Sequence, residues 1–213
     1  MKVGTDGVLL GVWCSLEGCR SVLDIGTGTG LIALMAAQRC QARITAVEID
    51  PEAATQAKEN ILSSPWADRI DFVYADIRTW QPDTQYDAIL CNPPFYDSTL
   101  PCPDKARNTA RHSTELSYGE LAATASRLLS DAGMLQVVIP AQMLDKFRRE
   151  CESRGLHALR ITHIQTVRGK APGRVTAAFG RREGTLVTDT LALTEQDGSR
   201  TAEYNSLAGA FYL

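Results

Sequence analysis

The chain has 213 residues, of which 44% are hydrophobic and 22% are charged, and this composition is that of an ordinary globular protein. The length suits one domain, so we predict that residues 1–213 fold as a single domain. The formal net charge of −3 excludes a globally basic protein of the kind that coats nucleic acid, but it leaves room for a local basic patch.

The chain lacks the signals of a membrane or secreted protein. No apolar stretch approaches the roughly 18 residues that a membrane helix needs, and the first residues have no signal-peptide apolar region. We therefore expect a cytoplasmic protein without membrane contact, and a monomer.

Cysteine and histidine usage argues against a metal centre. The cysteines show no CxxC pairing, which disfavours both a zinc site and a disulfide framework, and the histidines are too dispersed to support a metalloenzyme. The residues concerned are Cys14, Cys19, Cys40, Cys91, Cys102, Cys151, His112, His157 and His163. We predict no bound metal.

The opening residues read as a loop that leads into a short apolar helix. Thr5 and Asp6 are good N-cap residues for this helix. The next apolar run, residues 21–25, predicts a buried strand. Asp24 lies within it, and capping of the strand end is the ordinary structural explanation for an acidic residue there.

A glycine loop follows that strand and opens the predicted helix 31–39. Gly26, Gly28 and Gly30 stand within five residues, a pattern that lets backbone N–H groups approach a ligand at a helix N-terminus. The pattern alone is a weak signal, common to nucleotide-binding βα turns. It is reinforced by Glu48, which ends the next predicted strand about where a ribose-binding carboxylate belongs. The chain has no GxxxxGK[ST] loop, which argues against a nucleoside triphosphate.

Two more predicted strands end in polar side chains. Residues 70–74 lead to Asp76, and residues 88–91 lead to Asn92. Taken singly, Asp76 could be a solvated loop residue. Because the carboxyl ends of parallel strands share one edge of a sheet, the succession of polar strand ends predicts a shared ligand cleft.

Asn92, Pro93, Pro94 and Phe95 form the most informative motif. Two prolines fix the backbone where the strand ends, and proline biases the preceding residue towards an extended conformation. Asn92 is therefore presented at the strand's carboxyl edge. A simple strand-terminating turn is the alternative for this motif in isolation.

The second half of the chain completes an α/β pattern. Residues 96–117 lack periodicity, which in a compact domain is typical of a functional or disordered loop. Further elements are predicted as helix 118–130, strand 135–139, helix 142–153, a hairpin of 158–168 and 174–180, and a short C-terminal helix within 199–213. We predict a doubly wound Rossmann-like α/β fold with a seven-stranded sheet, mostly parallel, with an antiparallel C-terminal hairpin at one edge.

Basic residues fall in two clusters that could face phosphates. One follows the Asn-Pro-Pro-Phe motif and the other surrounds the hairpin, although a solvated surface is the default for such residues. The clusters comprise Lys105, Arg107, Arg111 and His112, and Arg168, Lys170, Arg174, Arg181 and Arg182.

Taken together, these motifs resemble class I S-adenosylmethionine-dependent methyltransferases of the subgroup with an (N/D)PP(Y/F) motif. Over essentially the whole chain the sequence is similar to bacterial tRNA1(Val) (adenine-37-N6)-methyltransferases. The more selective matches are residues 2–7 (Lys-Val-Gly-Thr-Asp-Gly), 64–66 (Ser-Pro-Trp) and 211–213 (Phe-Tyr-Leu). Members of the family carry a segment before residue 2 that helps to close the site, and Met1 directly before Lys2 predicts that this lead segment is missing. Phe95 stands where tyrosine is commoner, which keeps the stacking face and loses the hydroxyl.

The resemblance implies S-adenosylmethionine as cofactor and tRNA as substrate. It implies that Gly26, Gly28 and Gly30 approach the methionine portion of the cofactor, that Glu48 binds the ribose, and that Asp76 accepts from the adenine amine. Asp6 and Asp24 would reach the methionine amine, and Asn92 would also contact the cofactor.

For the catalytic step, the resemblance implies that the Asn92 side-chain oxygen and the Pro93 main-chain oxygen hold the N–H groups of the target nitrogen. The target base would stack on Phe95, and Pro94 would stiffen the turn.

Other activities fit the same motif. Glutamine N5-methylation of a protein such as a release factor poses the same problem of a delocalised lone pair. DNA adenine methylation is a further possibility, but no separate target-recognition domain is visible. A cofactor-binding scaffold without catalysis is disfavoured by the intact Asn92–Phe95 motif.

Overall fold

The computed structural model describes residues 4–93 and 116–211. Its helices are α1 (Thr5–Trp13), α2 (Leu31–Arg39), α3 (Pro51–Leu62), α4 (Tyr118–Leu128), α5 (Leu144–Glu152) and α6 (Ala202–Ala208). Its strands are β1 (Ser21–Ile25), β2 (Arg43–Glu48), β3 (Ile70–Tyr74), β4 (Tyr86–Cys91), β5 (Leu129–Pro140), β6 (His157–Val167), β7 (Arg174–Gly180) and β8 (Val187–Thr194). Short 3-10 turns occupy Ala67–Arg69, Ala141–Met143 and Gly209–Phe211.

All eight strands form one sheet in the order β3-β2-β1-β4-β5-β7-β6-β8. The first five pair in parallel, whereas β7 is antiparallel to both β5 and β6. The order reverses direction at β1, with β2 on one side and β4 on the other. This reversal is the point at which an open α/β sheet forms a crevice beyond its strand ends.

The strand count and the place of the hairpin differ from the sequence expectation. The predicted seven-stranded sheet is an eight-stranded one, because residues 187–194 add a strand parallel to β6. The β6–β7 hairpin is confirmed, but it lies inside the sheet rather than at its edge. The N-terminal half of β8 is exposed, so it lacks the apolar run or clean alternation that signals a strand.

Each face of the sheet has its own apolar layer. Residues of α1, α2 and α6 pack on one face, while α4 and α5 cover the other. On the second face Tyr118, Phe147 and Phe179 form a chain of edge-to-face ring contacts, with centroids 5.2 and 5.3 Å apart. The sheet is therefore held from both sides, and the carboxyl ends of its strands are the place left for a site.

The packing of α1 against α2 brings the N-terminal residues to that edge. A Cβ atom on Gly11 would lie 2.5 Å from Met35 Sδ, so glycine permits the close approach of the two helices. Gly4, not Thr5 or Asp6, occupies the N-cap position of α1, and no side chain caps this helix. The capping predicted for Thr5 and Asp6 is therefore wrong.

Candidate functional site

A cleft of about 550 Å³ lies at the carboxyl ends of β1, β2, β3 and β4. Its volume falls in the range of small-molecule sites. The predicted residues Gly26, Gly28, Glu48, Asp76 and Asn92 all line it. The structure thus confirms that the polar strand ends share one cleft.

The glycine loop shapes one wall of the cleft through its backbone conformation. Gly26, Gly28 and Gly30 have φ values of 64°, 59° and 84°, which a side chain would strain. Their amides, however, donate within the protein: Gly26 to Val47 O at 2.9 Å, Gly28 to Glu48 Oε2 at 2.8 Å and Gly30 to Thr27 O at 2.9 Å. The sequence expectation of ligand-facing amides at these glycines does not match this arrangement. Gly26 and Gly28 line the cleft together with Thr27 and Thr29, whereas Gly30 does not line it.

Asp24 lies beneath this loop and is fully buried. Its Oδ2 accepts from Thr27 Oγ1 at 2.5 Å and from the Ala33 amide at 3.1 Å, so it ties the loop to the first turns of α2. Among the described residues Oδ1 has no hydrogen-bond partner. Burial raises the pKa of Asp24 to about 7, an effect that the nearby Glu48 carboxylate adds to and the two hydrogen bonds oppose. Asp24 does not line the cleft, and its predicted cofactor contact stays a prediction.

Glu48 closes the loop from the end of β2. Its Oε2 accepts from Gly28, and its Oε1 accepts from the amides of Ile49 and Asp50, each at 2.9 Å. The side chain is nevertheless part of the cleft wall. A carboxylate held by three amides is oriented before any ligand arrives, as a binding group needs to be.

Asp76 occupies the corresponding place after β3, and it has a partner that sequence reasoning missed. The guanidinium group of Arg78 donates a bidentate pair of hydrogen bonds to the Asp76 carboxylate, with 2.7 Å from Nη2 to Oδ2 and 2.9 Å from Nε to Oδ1. The hydrogen bonds from this fork hold the pKa of Asp76 below its ordinary value. Arg78 also lines the cleft. Nothing in the local sequence distinguishes Arg78 from a solvated surface arginine.

Asn92 stands at the opposite end of the cleft, directly after β4. Its Oδ1 is buried, and no donor among the described residues reaches it. Pro93, also buried, follows it in the cleft wall. Pro94 and Phe95, the other two predicted catalytic residues, lie outside the described residues.

Asp6 binds an arginine rather than lining the cleft. Its Oδ2 accepts from Nε of Arg174 at 2.9 Å, which joins the first turn of α1 to the first residue of β7. Gly4 and Gly7, on either side of Asp6 in the chain, do line the cleft. The predicted contact of Asp6 with a cofactor amine stays a prediction.

The hairpin cluster of basic residues is largely engaged by acceptors of the protein itself. Arg168 pairs with Glu195 at 2.8 Å and with Glu203 at 2.9 Å, and Arg181 donates to the Ser126 carbonyl. Lys170 and Arg182 are exposed. The first cluster, Lys105, Arg107, Arg111 and His112, lies outside the described residues.

In the part of the chain that the structure describes, no group of three or more histidine, cysteine, aspartate or glutamate side chains is arranged to hold a metal ion. Nor does any helix within residues 4–93 and 116–211 have the length and apolar character to cross a membrane.

Comparison with known proteins connects this geometry to a family. The model of the methyltransferase small domain matches residues 13–148. A tRNA1(Val) (adenine(37)-N6)-methyltransferase of Phocaeicola vulgatus is 46% identical over the whole chain and 91% of its own length. A protein of the same name from Citrobacter koseri is 42% identical over the whole chain and 89% of its own length.

Solved structures agree at the level of the fold. A predicted O-methyltransferase of Agrobacterium tumefaciens superposes with a TM-score of 0.74 at 23% identity, covering 96% of each chain. The glycopeptide N-methyltransferase MtfA in complex with S-adenosylmethionine gives a TM-score of 0.61 at 12% identity, covering 85% of this chain and 100% of that one. The Rossmann-like α/β architecture expected from the sequence is confirmed.

Proposed function

Because the chain belongs to the tRNA1(Val) (adenine(37)-N6)-methyltransferase family, we propose that it transfers the methyl group of S-adenosylmethionine to N6 of an adenine in tRNA. The finer assignment, adenine 37 of a valine tRNA, follows the names of the relatives. We also propose that residues 1–213 form one methyltransferase domain, since one sheet includes strands from Ser21 to Thr194.

The cleft suits S-adenosylmethionine. The loop offers the side-chain-free backbone of Gly26 and Gly28 to the methionine portion, and Glu48 offers a pre-oriented carboxylate for ribose hydroxyls. Asp76 supplies an acceptor for the adenine amine beside the apolar side chain of Ile77, which also lines the cleft. When bound, the cofactor supplies an electrophilic methyl group on a sulfonium, whose departure leaves a neutral thioether.

Asn92 and Pro93 would act on the methyl acceptor. The exocyclic nitrogen of adenine is a poor nucleophile because its lone pair is delocalised into the ring. Two oxygen acceptors that hold its N–H groups favour a more tetrahedral nitrogen, with the lone pair free to form the new N–C bond. One N–H proton is then lost to solvent. Such positioning of a developing charge removes the need for a strong base.

The single observation that carries this proposal is the Oδ1 atom of Asn92. It is a buried acceptor in a cleft wall, and no donor of the described residues satisfies it. Burying a polar atom without a partner costs about 1–3 kcal/mol, so such an atom is expected to be satisfied in the complex. An N–H of the substrate is the complementary group.

We assign the contact with tRNA to basic side chains of the two clusters. Lys170 is exposed in the β6–β7 connection, at the sheet edge that also carries the cleft, whereas Arg182 follows β7 at the opposite edge. Lys105, Arg107 and Arg111 follow the Asn92–Phe95 motif in sequence. Binding of tRNA through such residues would weaken with rising salt, because phosphate contacts release counterions. Salt-independent affinity would contradict this part of the proposal.

The decisive experiment incubates the protein with labelled S-adenosylmethionine and either unmodified total tRNA or a release factor. Nucleoside analysis by mass spectrometry is expected to reveal N6-methyladenosine in tRNA. Asn92→Ala serves as the control for contaminating activity. Methylglutamine in the release factor, with unmodified tRNA, would overturn the proposed substrate.

A further inference from the structure

Arg78 makes an unusually complete set of contacts with Asp76. Its Nε lies 2.9 Å from Oδ1 and 3.0 Å from Oδ2, its Nη2 lies 2.7 Å from Oδ2, and its own amide donates to Oδ1 at 2.9 Å. An ionised carboxylate offers about four lone-pair positions. Three N–H donors of Arg78 thus occupy the carboxylate, with Nε shared between both oxygens, so about one acceptor position is left for another donor. Arg78 therefore determines how Asp76 can meet another donor.

The same guanidinium group also reaches the start of α4. Its Nη1 lies 3.7 Å from Oε1 of Glu120, in the first turn of α4. The other oxygen of Glu120, Oε2, accepts from the amide and hydroxyl of Ser117, at 2.8 and 2.6 Å, in a capping box. Leu116, the residue before Ser117, lines the cleft. We call the set Asp76, Arg78, Glu120 and Ser117 the Arg78 bridge.

We propose that Arg78 is a positioning residue, which fixes the Asp76 carboxylate for the adenine amine of the cofactor and braces it through the Arg78 bridge against the start of α4. The inference rests on the proposed function for the identity of the cofactor. The side chains of Arg78 and Asp76 are only 26% and 28% exposed, so solvent screens their pairing less than that of a surface ion pair. The same hydrogen bonds lower the pKa of Asp76 and so favour the ionised form, in which both oxygens act only as acceptors.

Calorimetric titration with S-adenosylmethionine, without RNA, tests the first link of the bridge. Arg78→Met is expected to raise the Kd about tenfold, because the Asp76 carboxylate loses its charge-assisted hydrogen bonds and its fixed orientation. Arg78→Lys is expected to recover part of the affinity, since lysine keeps the charge but not the fork.

S-adenosylhomocysteine separates local positioning from long-range charge. It keeps the adenosine portion but lacks the sulfonium charge, so positioning at the adenine end predicts the same fold-change for both ligands. A change confined to S-adenosylmethionine would overturn the inference, as would unaltered affinity of Arg78→Met for both.

Glu120→Gln tests the second link without removing the helix cap, because glutamine also serves in a capping box. We expect a two- to threefold rise in Kd, about what a partly exposed ion pair contributes. This rise should vanish in the Arg78→Met background, since a double-mutant cycle isolates the pairwise coupling. An equal rise in Kd in both backgrounds would show that Glu120 does not act through Arg78.

Arg148→Met is the matched control, because Arg148 pairs with Glu152 at 2.6 Å on α5 and does not line the cleft. It is expected to leave both Kd values unchanged. A wild-type protein that binds the cofactor yet forms no N6-methyladenosine in tRNA would overturn the proposed function alone. The affinity ratios would still decide the role of Arg78.

Discussion

The buried carboxyl of Asp24 makes protein stability depend on pH in a defined direction. Burial first, and the neighbouring Glu48 carboxylate to a smaller extent, raise its pKa from the ordinary 3.8 to about 7. The folded state therefore binds the proton more tightly than the unfolded state does. The stability gained from this proton is fully present below the unfolded-state pKa and is lost as the pH rises through about 7.

Asp24→Asn isolates this contribution. Asparagine keeps an oxygen acceptor for Thr27 and the Ala33 amide, and it cannot ionise. Between about pH 5 and about pH 8 the stability of the wild type relative to this variant should fall by about 3 kcal/mol. Any cost of the new amide group is the same at each pH and cancels from this difference.

Urea unfolding of the two proteins at several pH values measures the effect. Asp83→Asn, in an exposed loop, controls for removal of a carboxylate elsewhere. A stability difference between wild type and Asp24→Asn that stays flat with pH would refute the reasoning, since Asp24 would then titrate alike in the folded and unfolded states.

Three further predictions concern the cleft. Asn92→Ala should lower kcat about 100- to 1000-fold while leaving the Kd of the cofactor within about twofold. Asn92→Asp retains an acceptor and should keep measurable turnover. Parallel losses of cofactor affinity, measured by calorimetry, and of turnover, measured by a labelled-methyl assay, would make Asn92 a structural residue. Glu48→Ala should raise the Kd of S-adenosylmethionine about tenfold, and unchanged affinity would remove Glu48 from the ribose role. If Asp24 reaches the cofactor amine, cofactor binding near pH 7 should release about half a proton, because the carboxyl with a pKa of about 7 is then half protonated. Calorimetry in buffers of different ionisation enthalpy measures this release. An absence of proton release would limit the role of Asp24 to holding the glycine loop.

The strands and the cleft were predictable because one physical signal determines both. Strands β1, β2 and β4 are buried on both faces, so they read as apolar runs, and the polar residues that end them stand out. Parallel order then brings those ends to one edge. Glu48 and Asn92 could therefore be assigned to one cleft from their positions in the chain, and Asp76 joins them because it follows β3, which is parallel to β2 although only partly buried.

Partner choice among the charged side chains could not be predicted in the same way. Asp6 looks like a helix cap in its local sequence, yet its partner Arg174 lies 168 residues away in the chain. Strand β8 could not be predicted from the sequence for a related reason, since its N-terminal half is exposed and lacks the alternation of apolar and polar residues. Periodicity reports which side of an element is buried. It does not report which charged side chains form ion pairs with each other.

The two arginine pairs at the cleft edge follow one pattern. Arg78 holds Asp76 after β3, and Arg174 holds Asp6 at the start of α1, so these two predicted cofactor contacts are already bound to cations. Asp24 and Glu48 differ, because hydrogen-bond donors of the glycine loop and its flanking turns engage them instead. A cationic ligand would therefore meet little free negative charge at Asp6 and Asp76 and more at Glu48, which lines the cleft. A sulfonium would then be drawn towards the glycine loop, which Glu48 contacts, while Asp76 would orient the ligand by hydrogen bonding.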